Sequence, residues 1–322
     1  IRYILKYKAE KYSVGILYLR AEMMVFPRIP SFESAHTCMP VFTLHLGRYY
    51  LEFMNKLRPK KIDADAAAYK PAASSTIRAM TYNIHSCVNT DGAVGLEQVA
   101  KVISQLTPDM VALQEVDAGI PRTHYQDQAK TLGELVDMDF RFFPVVKNRE
   151  QKYGLAVLSR FPIQNVRVGW LPALYPKLKL KLQKRGVIRA VVETSVGSVH
   201  FFNTHLSLYR LERRKQLKSL LGKDWLMAVP EKEPVIFCGD LNAGPLSPAY
   251  RRLARYLIDV QKNAMHSERS QPTFPSRRPL FRIDHIFTSK HFRTLKTIVP
   301  INSHTRLASD HLPLCADLAT QK

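Results

Sequence analysis

Paired cysteines are missing from this chain. Its four, Cys38, Cys87, Cys238 and Cys315, stand far apart with no C-x-x-C pair, so neither a zinc cluster nor a disulfide framework is indicated. Cys238 falls inside the apolar run Val235-Ile236-Phe237-Cys238, where a buried free thiol in a reducing compartment is the simplest account. Long hydrophobic runs are missing too. A spanning helix needs roughly twenty consecutive apolar residues, and no uncharged stretch approaches that. The run from Val14 to Leu19 is broken by Arg20 and Glu22, too short for the apolar core of a secretory signal. No internal repeat is visible, which argues against a repeat array.

Nor does any acidic segment balance the charge. Across 322 residues, 48 Lys+Arg against 27 Asp+Glu give +21. Residues 1–75 hold 12 basic and 6 acidic side chains, a net +6, and residues 76–322 hold 36 and 21, a net +15. A field of that size favours anionic partners: nucleic acid, acidic lipid headgroups or a phosphorylated substrate. A plainly solvated basic surface is the alternative. With 46% hydrophobic and 23% charged residues, the composition is that of a globular protein and excludes disorder and collagen.

The first forty residues mix basic, aromatic and proline residues without a sustained period. They read as an upstream extension or a fragment, with Met23 or Met39 the natural start. From Val41 the texture changes. Phe42, Leu44, Leu46, Tyr49, Tyr50, Phe53, Met54 and Leu57 recur near helical spacing among Arg48, Lys56 and Arg58, which predicts a cationic amphipathic helix over 42–58. Such a helix lies on an anionic membrane surface or packs its apolar stripe on the main domain. Ile62 to Ser75, rich in Ala, Asp, Lys and Ser, reads as a linker. Residues 1–75 are therefore expected to be a basic extension, and 76–319 a single domain.

In that domain short β-branched runs alternate with helical patterns. Strands are predicted over 77–84, 110–116, 141–146, 154–159, 186–193, 198–204, 234–239, 281–288 and 312–318, and helices over 96–106, 126–137, 208–226 and 247–257. Leu96, Val99, Val102, Ile103 and Leu106 follow Gly95 at i, i+3, i+4 spacing and stop at Pro108, a clear helix signature. Strands outnumber helices about two to one, which points to an α/β sandwich with mixed sheets.

The same event recurs at five strand ends: an apolar run finishes in a small polar cluster. Met80-Thr81-Tyr82 leads into Asn83-Ile84-His85, and Ala112-Leu113 into Gln114-Glu115. Phe201-Phe202 leads into Asn203-Thr204-His205, and Phe237-Cys238-Gly239 into Asp240-Leu241-Asn242. The fifth is split between Phe281-Arg282-Ile283-Asp284-His285 and Ala308-Ser309-Asp310-His311. Catalytic groups commonly sit where a rigid sheet ends in loops. Asn, Glu and Asp supply hard oxygen donors suited to Mg²⁺ or Mn²⁺, which leaves the histidines for phosphate and protons. A carboxylate not neutralised by the metal is needed to take a proton from water. Asp240, two residues from Asn242 on the same face of an extended segment, is placed for that role.

Thr81-Tyr82-Asn83, Leu113-Gln114-Glu115-Val116, Asn203-Thr204-His205-Leu206, Gly239-Asp240-Leu241-Asn242 and Ser309-Asp310-His311-Leu312-Pro313 resemble, in order, the signatures of the endonuclease/exonuclease/phosphatase superfamily. The resemblance covers about residues 76–319. It implies a deoxyribonuclease-like four-layer α/β sandwich, two mixed β-sheets flanked by helices, and a metal-dependent phosphoric ester hydrolase. It further implies Glu115 as principal metal ligand with Asn83 beside it, and Asp240 orienting or activating water. Asn242 would hold the phosphate or Asp240. His205 would contact the scissile phosphate and help protonate the leaving group. His311 would sit opposite, oriented by Asp284, with Asp310 near the metal's water.

Abasic-site endonucleases typically carry Gln-Glu-Thr-Lys where this chain has Gln114-Glu115-Val116-Asp117, which disfavours that branch. The runs Tyr153-Gly154-Leu155-Ala156-Val157-Leu158-Ser159-Arg160, Lys184-Arg185-Gly186 and Thr273-Phe274-Pro275-Ser276-Arg277-Arg278-Pro279-Leu280 resemble an uncharacterised bacterial subgroup instead. Many members have Asn where this chain has Leu155. Arg185, Arg277, Arg278 and Arg282 are candidates for holding an anionic substrate, Arg185 and Arg278 foremost, since guanidinium groups match phosphate oxygens; Arg277 reads equally as an exposed loop charge. The expected activity is a phosphodiesterase, with a nuclease as first alternative and a non-catalytic phosphate-binding module as second. Retention of all eight site residues opposes the last. The expected setting is cytoplasmic, with contact at the inner membrane face open, and no obligate protein partner is evident.

Overall fold

The computed structural model describes residues 76–173, 183–265 and 270–321. The 42–58 helix, the 62–75 linker, Met23, Met39 and Cys38 lie outside them. In chain order the elements are β1 (Thr76–Asn83), α1 (Leu96–Leu106), β2 (Met110–Ala118), α2 (Gln128–Val136), β3 (Asp139–Asn148), β4 (Gln151–Ser159), β5 (Ile163–Trp170), β6 (Gly186–Thr194) and β7 (Gly197–His205). Then come α3 (Arg210–Leu220), β8 (Val235–Asp240), α4 (Pro248–Leu253), β9 (Ile258–Asp259), α5 (Val260–Asn263), β10 (Asp284–Thr288), β11 (Phe292–Ile298), α6 (Ser303–Ala308) and β12 (Leu314–Thr320).

The strands form two six-stranded sheets, ordered β11-β12-β1-β2-β4-β3 and β5-β6-β7-β8-β10-β9. Period-two alternation gives each sheet two apolar faces. Ile77, Ala79, Met110, Ala112 and Val157 of the first sheet meet Ile188, Ala190, Phe201, Ile236 and Ile286 of the second in one buried core. Their neighbours along the strands face outward. Met80, Tyr82, Val111 and Leu113 pack on Leu96, Val99, Val102, Ile103 and Leu132 of α1 and α2. Phe202, Val235, Phe237 and Phe287 pack on Leu217 and Leu220 of α3 and Tyr250 and Leu253 of α4. The result is four layers, helix, sheet, sheet, helix, as the family resemblance implies.

Local chemistry sets the boundaries. α1 ends where Thr107 turns left-handed at φ 44 ahead of Pro108. Asp127 caps α2 by accepting from Lys130 N, and Ser247 caps α4 by accepting from Tyr250 N, with Pro248 in the first turn. Several expected boundaries need correction. α3 stops at Leu220 and α4 at Leu253, because turns at Gly222 and Leu257 close the chain back. The strand expected from 281 begins only at Asp284. β5, β9, β11, α5 and α6 carry no expected counterpart.

Two parallel pairs position the site. β1 runs parallel to β2, with Asn83 opposite Gln114, and β7 parallel to β8, with His205 opposite Asp240. β10 is antiparallel to β8 and sets Asp284 opposite Asp240. β12 is antiparallel to β1, with Thr81 opposite Leu314, so Asp310 and His311 enter from the same end.

Candidate active site

Three backbone devices turn strand ends into a site. At Glu115 the β2–β4 pairing slips between Gln114 and Val116, and the residue takes φ 59. A bulge re-aims a side chain, and a left-handed non-glycine costs of order 1–3 kcal/mol, which the surrounding sheet must hold in place. Asn242 is also left-handed, at φ 47. The extended geometry expected for Asp240 to Asn242 is therefore corrected: β8 ends at Asp240 and the chain turns. At Gly239, φ is 155 and an added Cβ would lie 2.2 Å from Thr204 O. Only glycine lets β8 close on β7 here.

These devices converge on Asp240, which is 1% exposed. Its Oδ2 accepts from Asn83 Nδ2 at 3.2 Å and lies 3.4 Å from His205 Nε2 and 3.9 Å from His311 Nε2. Its Oδ1 accepts from Asn242 N at 2.7 Å. Asn242 Nδ2 bridges to His205 Nε2 and Leu206 O, each at 3.0 Å. Asn83 Nδ2 also donates to Glu115 Oε1 at 3.1 Å. His311 Nδ1 meets Asp284 Oδ2 at 2.9 Å. Seven of the eight residues expected to carry the chemistry thus form one connected cluster. The eighth, Asp310, is half-exposed at its edge, with Oδ1 4.0 Å from His85 Nδ1.

The electrostatics of the cluster are uneven. Burial, then the nearby charge of Asp284, pushes Asp240 up to about 7, against the help of His311 and two hydrogen bonds. Burial, then the charges of Arg185 and His311, holds His205 well below the usual imidazole range. Burial opposes charging of His311 as well, but Asp284, Asp310 and Asp240 together overcome it and raise His311 well above its ordinary value. Two buried imidazoles on one carboxylate therefore favour opposite charge states, His205 neutral and His311 cationic.

The donor set fits a hard divalent cation. Glu115 offers a half-buried carboxylate whose described partner is Asn83. Asp284 Oδ1 is buried with no hydrogen-bond partner, an uncompensated acceptor of the kind a cation satisfies. Asp240, Asp284 and His311 each bring one ligand atom within 4.8 Å of the others. Glu115 stands outside that trio and is joined to it through Asn83, whose Nδ2 reaches both Glu115 Oε1 and Asp240 Oδ2. Asn83 turns its Nδ2 to the carboxylates, while its Oδ1 accepts from His85 N at 3.1 Å. Its service as an oxygen ligand requires the amide to turn over.

The arginines divide. Arg185 is buried and, with Tyr153, Leu155 and Lys184, lines a groove beside His205. Leu155 is itself buried in the inter-sheet core. Arg278 is exposed on the 274–281 turn, where its N donates to Pro275 O. Arg277 pairs with Asp91. Arg282 is corrected outright: it is buried and its Nη2 binds Asp259 Oδ2 at 2.6 Å, which makes it a structural cation. Sequence reasoning missed two supporting groups. Thr273 Oγ1 donates to Asp284 Oδ2 at 2.5 Å, and Ser309 Oγ donates to Asn83 O at 2.7 Å and accepts from His311 N at 3.2 Å. Both stand in runs that the sequence singles out for other reasons.

A two-sheet sandwich whose strand ends gather carboxylates, amides and histidines defines the deoxyribonuclease-like class of folds. Residues 80–311 match the model of the Endonuclease/Exonuclease/phosphatase family, and the chain belongs to that family, whose members are generally hydrolases of phosphoester bonds and typically use a divalent metal. It is 27% identical over 261 residues to YbhP, an uncharacterized protein of Escherichia coli strain K12, covering 76% of this chain and 96% of that one. A family structure from Beutenbergia cavernae aligns with a TM-score of 0.62 at 25% identity, over 76% of this chain and 72% of that one. The catalytic domain of human Nocturnin, solved with a bound sulfate anion, aligns with a TM-score of 0.61 at 25% identity, over 76% and 95%. No helix among the described residues is long and apolar enough to cross a membrane.

Proposed function

We propose that the chain is a Mg²⁺- or Mn²⁺-dependent phosphodiesterase. The observation that carries this reading is Asp240 set between His205 and His311, at 3.4 and 3.9 Å, with the two imidazoles biased to opposite charge states. Hydrolysis of a diester needs a base for water, a cation for the phosphoryl oxygens and a proton for the leaving oxygen. The cluster offers one group for each.

Glu115, with Asn83 after its amide turns, would hold the metal, which supplies charge stabilisation at the phosphoryl oxygens when bound. Asp240 takes the proton of the attacking water, and its position near neutrality suits a base working at physiological pH. His311 presents Nε2–H to the phosphate while Asp284 holds Nδ1–H; it supplies the proton that the leaving oxygen takes as the P–O bond breaks. Neutral His205, fixed by Asn242, orients the scissile group. In this reading the leaving oxygen takes its proton from His311, where the resemblance implies His205. Arg185, which lines a narrow groove with His205, would meet a further phosphate oxygen, and the net +15 of residues 76–322 would draw an anionic substrate to an acidic centre.

The test uses the full chain with Mg²⁺, with Mn²⁺ and with EDTA. Substrates are bis-p-nitrophenyl phosphate, plasmid DNA, RNA and phospholipid vesicles, beside Glu115→Ala and Asp240→Ala. Metal-dependent hydrolysis lost in both variants is expected. Equal activity, or equal inertness, of wild type and variants on every substrate overturns the reading. Hydrolysis confined to nucleic acid, with substrate binding falling steeply as salt rises, would make the protein a nuclease.

A further inference from the structure

Three segments leave the site end of the second sheet: 206–211 after β7, 242–252 after β8, and 270–283 before β10. Hydrogen bonds tie them together where they leave the sheet. Leu206 N donates to Asp240 O and Leu241 N to Ile283 O, both at 2.9 Å, and Asn242 Nδ2 donates to Leu206 O at 3.0 Å. Phe274 lies against the His311 ring, with centroids 4.8 Å apart. The three segments therefore form one rim of the candidate site.

That rim is apolar where it meets solvent. Leu208, Tyr209, Leu211, Leu246, Leu280 and Phe281 are six of the fifteen large apolar side chains exposed among the described residues, with Leu246 at 88% and Leu280 at 73%. A single exposed leucine is ordinary. Six on three segments that leave the sheet at the end holding Asp240 and His205 point to an interaction surface. The charge on the same segments is of one sign. Arg210, Arg251 and Arg278 are exposed on them, and Arg214 and Lys215 are exposed in the second turn of α3. The acid in that stretch of α3, Glu212, is buried against Ser207 Oγ, and 242–252 and 270–283 contain no Asp or Glu.

We propose that this rim docks on an anionic lipid bilayer, so that the diester met by the site is presented at a membrane surface; that second clause rests on the phosphodiesterase reading above. Leucine side chains gain by leaving water for hydrocarbon, and arginines beside them gain from acidic headgroups. A bilayer interface meets both terms at once. Nucleic acid would satisfy the arginines but offers no hydrocarbon, and single strands are gripped by aromatic faces, whereas four of these six side chains are leucine.

The experiment measures sedimentation of the full chain with phosphatidylcholine vesicles, with and without phosphatidylglycerol. It compares wild type with Leu246→Asp/Leu280→Asp, two positions so exposed that the fold does not depend on them. Wild type is expected to partition onto the anionic vesicles, and the double variant at least about tenfold less, the loss from one leucine kept out of hydrocarbon. Hydrolysis of bis-p-nitrophenyl phosphate stays unchanged in the variant. Failure of wild type to bind, or equal binding by the double variant, overturns the docking. So does a variant whose retention of DNA falls while vesicle binding holds. Partition that follows the leucines in a chain inert on every diester supports the docking and overturns the catalytic reading alone.

Discussion

His311 Nδ1 lies 2.9 Å from Asp284 Oδ2, and this contact holds the imidazole with Nε2 3.5 Å from Asn83 Nδ2 and 3.9 Å from Asp240 Oδ2. Asp284 does two things at once. It fixes the ring's orientation, and after the opposing effect of burial it is the largest influence raising His311 above its ordinary pKa.

Replacing Asp284 with Asn keeps the shape and removes the charge. His311 then loses its proton at lower pH. Since the proposed reaction uses the protonated ring, the fall in rate on the alkaline side is expected to move to lower pH, and kcat/KM at neutral pH to drop by roughly 10²–10⁴-fold, the range for a general acid–base group. A pH–rate profile on bis-p-nitrophenyl phosphate reads both effects. An unmoved alkaline limb in an otherwise weakened enzyme would sink the assignment.

Asp240 makes a stability prediction of the opposite sign. Its folded pKa, about 7 against an ordinary 3.8, means that the unfolded chain ionises first as pH rises. Between about pH 4 and 7 the folded state therefore binds more protons and loses stability with rising pH. Asp240→Asn cannot titrate. In EDTA, the unfolding midpoint of the variant should gain on wild type from pH 5 to pH 8, with a free-energy change of at most a few kcal/mol, and with Mg²⁺ restored the variant should be inactive. A gap that shrinks over that range would show that the carboxylate is not destabilised by burial.

Glu115 is tested without turnover. A cation bound at the folded site alone stabilises it by RT ln(1 + [L]/Kd), about 2.7 kcal/mol at a hundredfold excess over Kd. For a domain of this size that is a rise in Tm of roughly 5–10 °C. Wild type should show it with Mg²⁺ or Mn²⁺, and Glu115→Gln should not. Equal shifts in both proteins would move the metal to other ligands, with Asp240, Asp284 and His311 the first to examine.

How much of this is written in the sequence depends on where each element sits. α1 is readable to the residue because Leu96, Val99, Val102 and Ile103 pack in one core and Pro108 closes the pattern. β5 and β11 are edge strands in which Gln164, Asn165, Arg167, Arg293 and Lys296 interrupt the apolar alternation, so no period of two announces them. α5 and α6, of four and six residues, are too short for a period of 3.6 to show. In the site, the residue types at strand ends are legible because a buried strand must stop where its polar groups begin. The bulge at Glu115 and the bond from Thr273 to Asp284 are not, since each arises from pairing between distant segments. Arg282 misleads for the same reason: its partner Asp259 is 23 residues away, and a buried ion pair looks in sequence like a free cation.

Gly239 joins fold and site most directly. Its φ of 155 is closed to other residues, and a Cβ there would lie 2.2 Å from Thr204 O and 3.0 Å from Thr204 C. Backbone on both sides cannot yield, because Thr204 pairs with Gly239 in the parallel β7–β8 ladder and with Val187 on the other flank. Gly239→Ala must therefore push β8 away from β7, and with it Asp240 from His205. The expected cost is at least about 2–3 kcal/mol, the range for a clash joined to a strained φ, and kcat should fall further than the loss of folded protein explains. Denaturant titration and rates per folded molecule separate the two. A stable, fully active Gly239→Ala would mean that the strands are not held as closely as the Asp240–His205 contact requires.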